Sequence, residues 1–139
     1  MIRNTLWLRA FRIPTVRAVR GAITVPCDDA HAIHDAVGEL LRAICDANAL
    51  ATDDVVSAMF TVTPDLTAAF PAEAARACGW HNVPLLCATE IAVPGALPRC
   101  VRILLHVSRW WSAPPRHLYL RDAARLRPDL ALERPAAEW

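Results

Sequence analysis

Residues 100–107 read C-V-R-I-L-L-H-V, six apolar residues in eight. A run of that length predicts a strand buried on both faces. Alternation puts Val101, Ile103, Leu105 and Val107 on one face, and Cys100, Arg102, Leu104 and His106 on the other. Residues 16–25 predict a first strand, with Gly21 allowing another element to approach its backbone. Arg17 and Arg20 are three apart, so at most one of them points into a given site. Residues 55–62 predict a second buried strand, stopped by Thr63-Pro64-Asp65. A third runs over 83–91, finishing near Glu90, and a last over 117–126, closed by Arg127-Pro128-Asp129-Leu130.

The helical period appears once at length. Ile33, Val37, Leu40, Leu41 and Ile44 form a stripe, with Asp28 and Asp29 as N-caps and an end near Asn48. Phe70-Pro71-Ala72-Glu73-Ala74-Ala75-Arg76 opens a shorter helix; Pro71 sits in its first turn and Gly79 ends it. Residues 94–98 and 108–116 are loops, the second carrying Trp110 and Trp111. Residues 1–15 read as a dispensable extension, 16–132 as one domain, and 133–139 as a loose tail. The expected fold is α/β or α+β, a mixed sheet of about five strands with two main helices. Two helices do not cover both faces of such a sheet, so a subunit interface is the remainder.

Composition narrows the chemistry. The chain has 139 residues, 55% of them hydrophobic, and a formal charge of +1, which gives no overall field for nucleic acid or an acidic membrane. All fifteen basic residues are arginine, which excludes Schiff-base chemistry and a P-loop lysine. Five widely spaced cysteines without a CxxC read as thiols of a reducing, cytoplasmic compartment. No apolar run approaches a membrane span. His31 and His34 sit one turn apart beside Asp35, but no third ligand converges on them, and a solvated face is expected. None of the three serines lies in a GxSxG elbow, and there is no GxGxxG, Walker A or HExxH. Cys87 is a nucleophile only if His81 or His106 stands beside it; otherwise it is a small core residue.

Arginines remain. A guanidinium inside a strand cannot lose its proton, so Arg102 must meet an anion or a ring of carbonyls. Two readings stay open: a structural ion pair within the chain, or an anion site for a substrate. Arg20, Arg102 and Arg127 on strands and strand ends, with Arg76 on a helix, stand against one strand-end carboxylate, Glu90, and the only tyrosine, Tyr119. The set suits a small polyanion bearing a hydroxyl group.

Arg20-Gly21-Ala22-Ile23-Thr24-Val25, Thr63-Pro64-Asp65-Leu66, the Phe70–Arg76 segment and Gly79-Trp80 occur in order. They are followed by Val83-Pro84-Leu85-Leu86-Cys87, Glu90, Cys100-Val101-Arg102, Arg116-His117-Leu118-Tyr119-Leu120 and Leu126-Arg127-Pro128-Asp129-Leu130. This ordered set, over about residues 16–132, resembles the monofunctional chorismate mutases of the AroH class. The resemblance implies a homotrimer of α/β subunits whose sheets enclose a pseudo-barrel, with active sites between subunits. It implies a Claisen rearrangement of chorismate to prephenate with no cofactor, metal, nucleic acid or membrane partner.

By the same resemblance Arg102 stands beside the ether oxygen and one carboxylate, and Arg20 binds a carboxylate with help from Tyr119. Glu90 and the Cys87 region receive the ring hydroxyl. Phe70 and Leu126 supply the apolar wall, Arg76 and Arg127 line the mouth, and Ala72 and Leu86 join the substrate-binding set. Family members carry lysine where Glu73 stands, so Glu73 is left out of the binding set. One residue is also missing between Arg76 and Gly79. Cys87 and Glu90, three apart, cannot share a face of a regular strand, so the strand ends or bulges between them, or one acts through its backbone. The alternatives are a regulatory binder of chorismate-like acids and a structural trimer with a vacant pocket.

Overall fold

The computed structural model describes residues 13–132. Most of the expected extension (through residue 12) and all of the expected tail at 133–139 lie outside the described residues. Strands β1 (Thr15–Thr24), β2 (Val55–Val62), β3 (Leu85–Thr89), β4 (Cys100–Arg109) and β5 (Leu118–Leu120) form one mixed sheet in the order β3-β2-β4-β1-β5. The apolar run at β4 is its centre, antiparallel to both β1 and β2. The edge strands β3 and β5 join in parallel, β3 to β2 and β5 to β1. Helices α1 (Ala30–Asn48), α2 (Pro71–Ala77) and α3 (Pro128–Leu132) complete the described fold, with short 3-10 turns at Thr52–Asp54 and Arg121–Leu126.

Helix α1 forms where its stripe predicts. The Asp29 carboxylate accepts the Ala32 N–H at 3.0 Å, satisfying a first-turn donor that has no helical partner. All five stripe residues are buried, in one cluster with Val19, Ile23, Phe60, Ile103 and Leu105 of the sheet. Each such burial contributes roughly 1.5–3 kcal/mol. At the far end Ala49 turns left-handed (φ 49°), and Arg109 Nη1 donates to the carbonyls of Asn48 (2.7 Å) and Ala49 (3.0 Å). A cation there complements the helix dipole. Gly21 does what its position predicts: a Cβ on it would lie 2.8 Å from Ile44 Cδ1 and 3.2 Å from the Leu118 carbonyl oxygen.

Three expectations need correction. The last strand does not run over 117–126. It is three residues long, because Arg121 takes a left-handed conformation (φ 54°) and Asp122 N–H turns back to Thr24 Oγ1 at 3.2 Å. The third strand is shorter than 83–91, starting after Pro84, whose carbonyl accepts the Ala58 N–H at 3.0 Å. Strand β4 continues to Arg109, so the following loop begins two residues later than expected.

The two longer helices, α1 and α2, pack on one face of the sheet; on the other, the 3-10 turn Arg121–Leu126 covers only the end around Ala22 and Cys100. On β4, Val101, Ile103, Leu105 and Val107 are buried, while Arg102, Leu104 and His106 are partly exposed on the other face. Met59 and Leu86, 42% and 60% exposed, lie on that same open face.

Candidate active site

Register places Arg102 of β4 between Thr61 of β2 and Ala22 of β1, on the open face. Its Nη1 lies 2.9 Å from Glu90 Oε2, and Thr61 Oγ1 donates to Glu90 Oε1. Glu90 stands one residue past β3, and its N–H still bonds the Val62 carbonyl at 2.8 Å, which holds it at the sheet. The pair is 26% and 19% exposed, so it sits at a surface a ligand can reach and not inside a sealed core. Burial raises the Glu90 carboxyl. The hydrogen bonds from Thr61 and Arg102, with the charges of Arg102 and Arg20, outweigh burial and hold it below the usual carboxylate range. Glu90 is therefore an ionised acceptor.

Arg20 faces Leu104 across the β1–β4 ladder and shares the open face with Arg102, a diagonal neighbour at about 7–8 Å. Arg17 pairs with buried Val107 and turns to the other side. Tyr119 of β5 is in register with Ala22 and so continues the Arg102–Ala22 row across the sheet. The 3-10 turn at Arg121–Leu126 folds over this end: Ala123 is buried with Ala22 and Cys100, and Leu126 and Tyr119 pack against them. Arg127 follows directly. Its guanidinium lies 5.9 Å from the Tyr119 ring centroid and is oriented by Asp129 through contacts of 3.1 and 2.9 Å. The hydrogen bond to Asp129 raises Arg127 further above its ordinary value.

The other candidates lie elsewhere. Phe70, 65% exposed, precedes α2, Arg76 is exposed on its last turn, and Ala72 is buried. Leu86 faces the open side of β3. Cys87, paired with Phe60, faces the helices and packs on the core, with neither His81 nor His106 among its described hydrogen-bond partners. Cys87 and Glu90 thus point to opposite faces, β3 having ended at Thr89. From β3 to β5 is four strand spacings, about 19 Å. One chain therefore brings Arg20, Arg102, Tyr119, Leu126 and Arg127 toward β5, joined through Arg102 to Glu90 at the end of β3, and leaves Phe70, Arg76, Leu86 and Cys87 on the β3–α2 side.

A cavity of about 770 Å³ opens beside β5, lined in part by Arg116, His117, Tyr119 and Arg127. It shares two residues with the cluster but does not reach Arg102, Glu90 or Arg20. The cavity also carries Arg116, Arg121 and Arg127, but only the cluster sets an ionised carboxylate, Glu90, beside its guanidinium, so the cluster is the candidate site for an anion that bears a hydroxyl. Residues 16–130 match the family of chorismate mutase type I. The chain belongs to that family.

Relatives of this chorismate mutase agree with the match. Chorismate mutase AroH of Thermus thermophilus is 52% identical over 120 residues, covering 83% of this chain and 96% of its own. Chorismate mutase AroH of Bacillus subtilis is 40% identical over 121 residues, covering 84% and 94%. A solved chorismate mutase from Clostridium thermocellum superposes with a TM-score of 0.75 at 42% identity, covering 78% of this chain and 98% of that one.

Two residues that hydrogen-bond into the cluster were not singled out from the sequence. Thr61 and His117 carry no pattern of their own; each matters only through a hydrogen bond across strands. The His117 Nδ1 accepts the Arg20 N–H at 3.0 Å. Burial, then the charges of Arg127 and Arg20, push the imidazole below its usual range. Glu73, left out of the expected binding set, lies 3.5 Å from His34 of α1, longer than a good hydrogen bond. His31 meets Asp35 at 3.3 Å instead, so the two imidazoles turn to different carboxylates. Among the described residues no group of three or more metal-ligating side chains converges.

Proposed function

We propose that this chorismate mutase converts chorismate to prephenate by restraint and charge alone, in a homotrimer whose active sites are shared between neighbouring subunits. In the reaction one C–O bond breaks as one C–C bond forms, and no proton, electron or leaving group is exchanged. The site must fold the side chain of a dianion over its ring. It must also stabilise negative charge developing on the ether oxygen. The observation that carries this reading is the Arg102–Glu90 pair at 2.9 Å beside Arg20 on an open face. A guanidinium has five N–H donors. Glu90 orients Arg102 and leaves donors for the ether oxygen and a carboxylate, while the ionised Glu90 accepts the ring hydroxyl. Arg20 takes the remaining carboxylate with Tyr119, and Leu126 supplies apolar wall.

Phe70, Ala72, Arg76, Leu86 and the Cys87 backbone are assigned to the same substrate, but from the next subunit. Within a chain Tyr119 at the β5 end is about 19 Å of sheet from Leu86 and Cys87 on β3, more than one small dicarboxylate spans, although Glu90 at the end of β3 reaches Arg102. The contact joins two different edges and is therefore heterologous. Such contacts close only as rings, and three copies would cover the open faces bearing Met59, Leu86 and Leu104. Five free thiols fit the reducing cytoplasm. Residues 1–14 are assigned no part in turnover. Thr15 moves from the expected extension into the domain, since it pairs with Arg109 and accepts the Trp111 indole N–H at 3.1 Å.

A chorismate-consumption assay tests the reading directly. Prephenate should form with no added cofactor, unchanged by EDTA, and a variant beginning at Thr15 should retain it. Turnover that disappears with EDTA and returns with a divalent ion would overturn the mechanism. An active monomer in light scattering would overturn the shared site.

A further inference from the structure

The ladder between β1 and β5 has only three pairs: Gly21 with Leu118, Ala22 with Tyr119, and Ile23 with Leu120. A one-residue slip there would turn Tyr119 to the other face. The end of the ladder nearest Arg20 is closed by a side chain, the His117 imidazole, whose Nδ1 accepts the Arg20 N–H at 3.0 Å. The residue before it is clamped separately: Asn48 Oδ1 accepts the Arg116 N–H at 2.7 Å, and Asn48 Nδ2 donates to the Arg116 carbonyl at 3.0 Å. His117 therefore joins an anchored segment to the strand that carries Tyr119.

We propose that His117 is a positioning residue. By accepting the Arg20 N–H it locks β5 in register on β1, so that Arg20 and Tyr119 meet the same substrate carboxylate. The proposal rests on the assignment of Arg20 to that carboxylate.

The bond requires the imidazole neutral at Nδ1 and protonated at Nε2. Its charged surroundings favour that state: Arg127 after the 3-10 turn, itself bound to Asp129, and Arg20 on β1. Burial and these cations lower the folded-state value. The bond's contribution is thus present above the free-histidine value of about 6.5 and is lost as pH falls through the lowered one. Glu90 titrates below the usual carboxylate range.

The test compares His117→Ala and His117→Asn with Arg20→Ala as reference, each checked for fold and oligomeric state across the pH range. His117→Ala should lower kcat/KM about 10- to 100-fold, the scale of a small misplacement of a binding group. His117→Asn keeps an acceptor at the same δ position and should recover most of the loss. Wild-type kcat/KM should show an acid step below pH 6.5, before Glu90 titrates, and the Asn variant should lack it. Equal losses in both variants, or an acid step that persists in His117→Asn, would overturn the proposal. If Arg20→Ala is itself harmless, the carboxylate assignment has failed. If Arg20→Ala is damaging and His117→Ala is not, His117 alone has. Should the Ala variant not fold, the imidazole nitrogen NMR spectrum of the wild type decides. An Nε2–H tautomer at pH 7 is expected, and an Nδ1–H tautomer overturns the lock.

Discussion

Removing Arg102 takes away two things at once, the cation at the ether oxygen and the partner of Glu90. The two losses have different sizes. Losing a preorganised donor from a transition state costs roughly 3–4 kcal/mol, a fall in kcat of about 10²–10³ or more. The stability loss should be smaller than the 3–5 kcal/mol of a sealed ion pair, because Glu90 keeps the Thr61 hydroxyl, the nearby Arg20 charge and some contact with water. Arg102→Ala should therefore lose kcat steeply and melting temperature modestly. Glu90→Gln added to it should restore the melting temperature and leave kcat low. Citrulline at position 102, isosteric and neutral, should do as badly as alanine in kcat, and lysine should lack the bidentate geometry. Full recovery of kcat per folded protein in the double variant would reduce the pair to a structural one. At this scale the sequence was informative where a residue was out of place. An arginine inside an apolar strand and a lone carboxylate at a strand end call for an explanation. Thr61 and His117 do not, since threonine is ordinary in a strand and a histidine before one is unremarkable until register pairs it with Arg20.

Elements were legible in proportion to the length of their pattern. The five-residue stripe and aspartate cap defined α1, and an apolar run between turn residues defined β2 at the bounds observed. The stretch 117–126 failed because apolar residues spaced for a 3-10 turn resemble a strand when few, and the left-handed Arg121 is not a conformation its residue type announces. Gly21 tests how tightly these elements are coupled. A Cβ there meets Ile44 Cδ1 at 2.8 Å and Ile103 Cγ2 at 3.2 Å, both inside the core, and the Leu118 carbonyl of β5 at 3.2 Å. Gly21→Ala should cost about 1–3 kcal/mol through overpacking. The cost should appear as a lower urea midpoint with an unchanged slope. Because the strain falls partly on β5, kcat/KM should fall even where the protein remains fully folded. A variant as active as wild type would show that β5 absorbs the strain without moving Tyr119.

For the whole molecule, a sheet face that two helices do not cover was foreseeable from a count of elements. How the candidate residues spread over the sheet was not, since register and strand order decide it and no local pattern reports them. The division of candidate residues between the β5 end and the β3–α2 edge makes the shared site testable without a structure of the assembly. Arg102→Ala disables a site through the subunit that supplies β4. Arg76→Glu, a charge reversal on an exposed helix turn, disables it through the subunit that supplies α2. Each variant alone should be nearly inactive. Unfolded together in equal amounts and refolded, they would assemble at random. About a quarter of the sites would then draw an intact Arg102 from one subunit and an intact Arg76 from its neighbour. Turnover should rise to about that fraction of wild type. If both arginines serve a site within one chain, no mixed trimer contains an intact site, and the mixture would show only the sum of its two inactive parents.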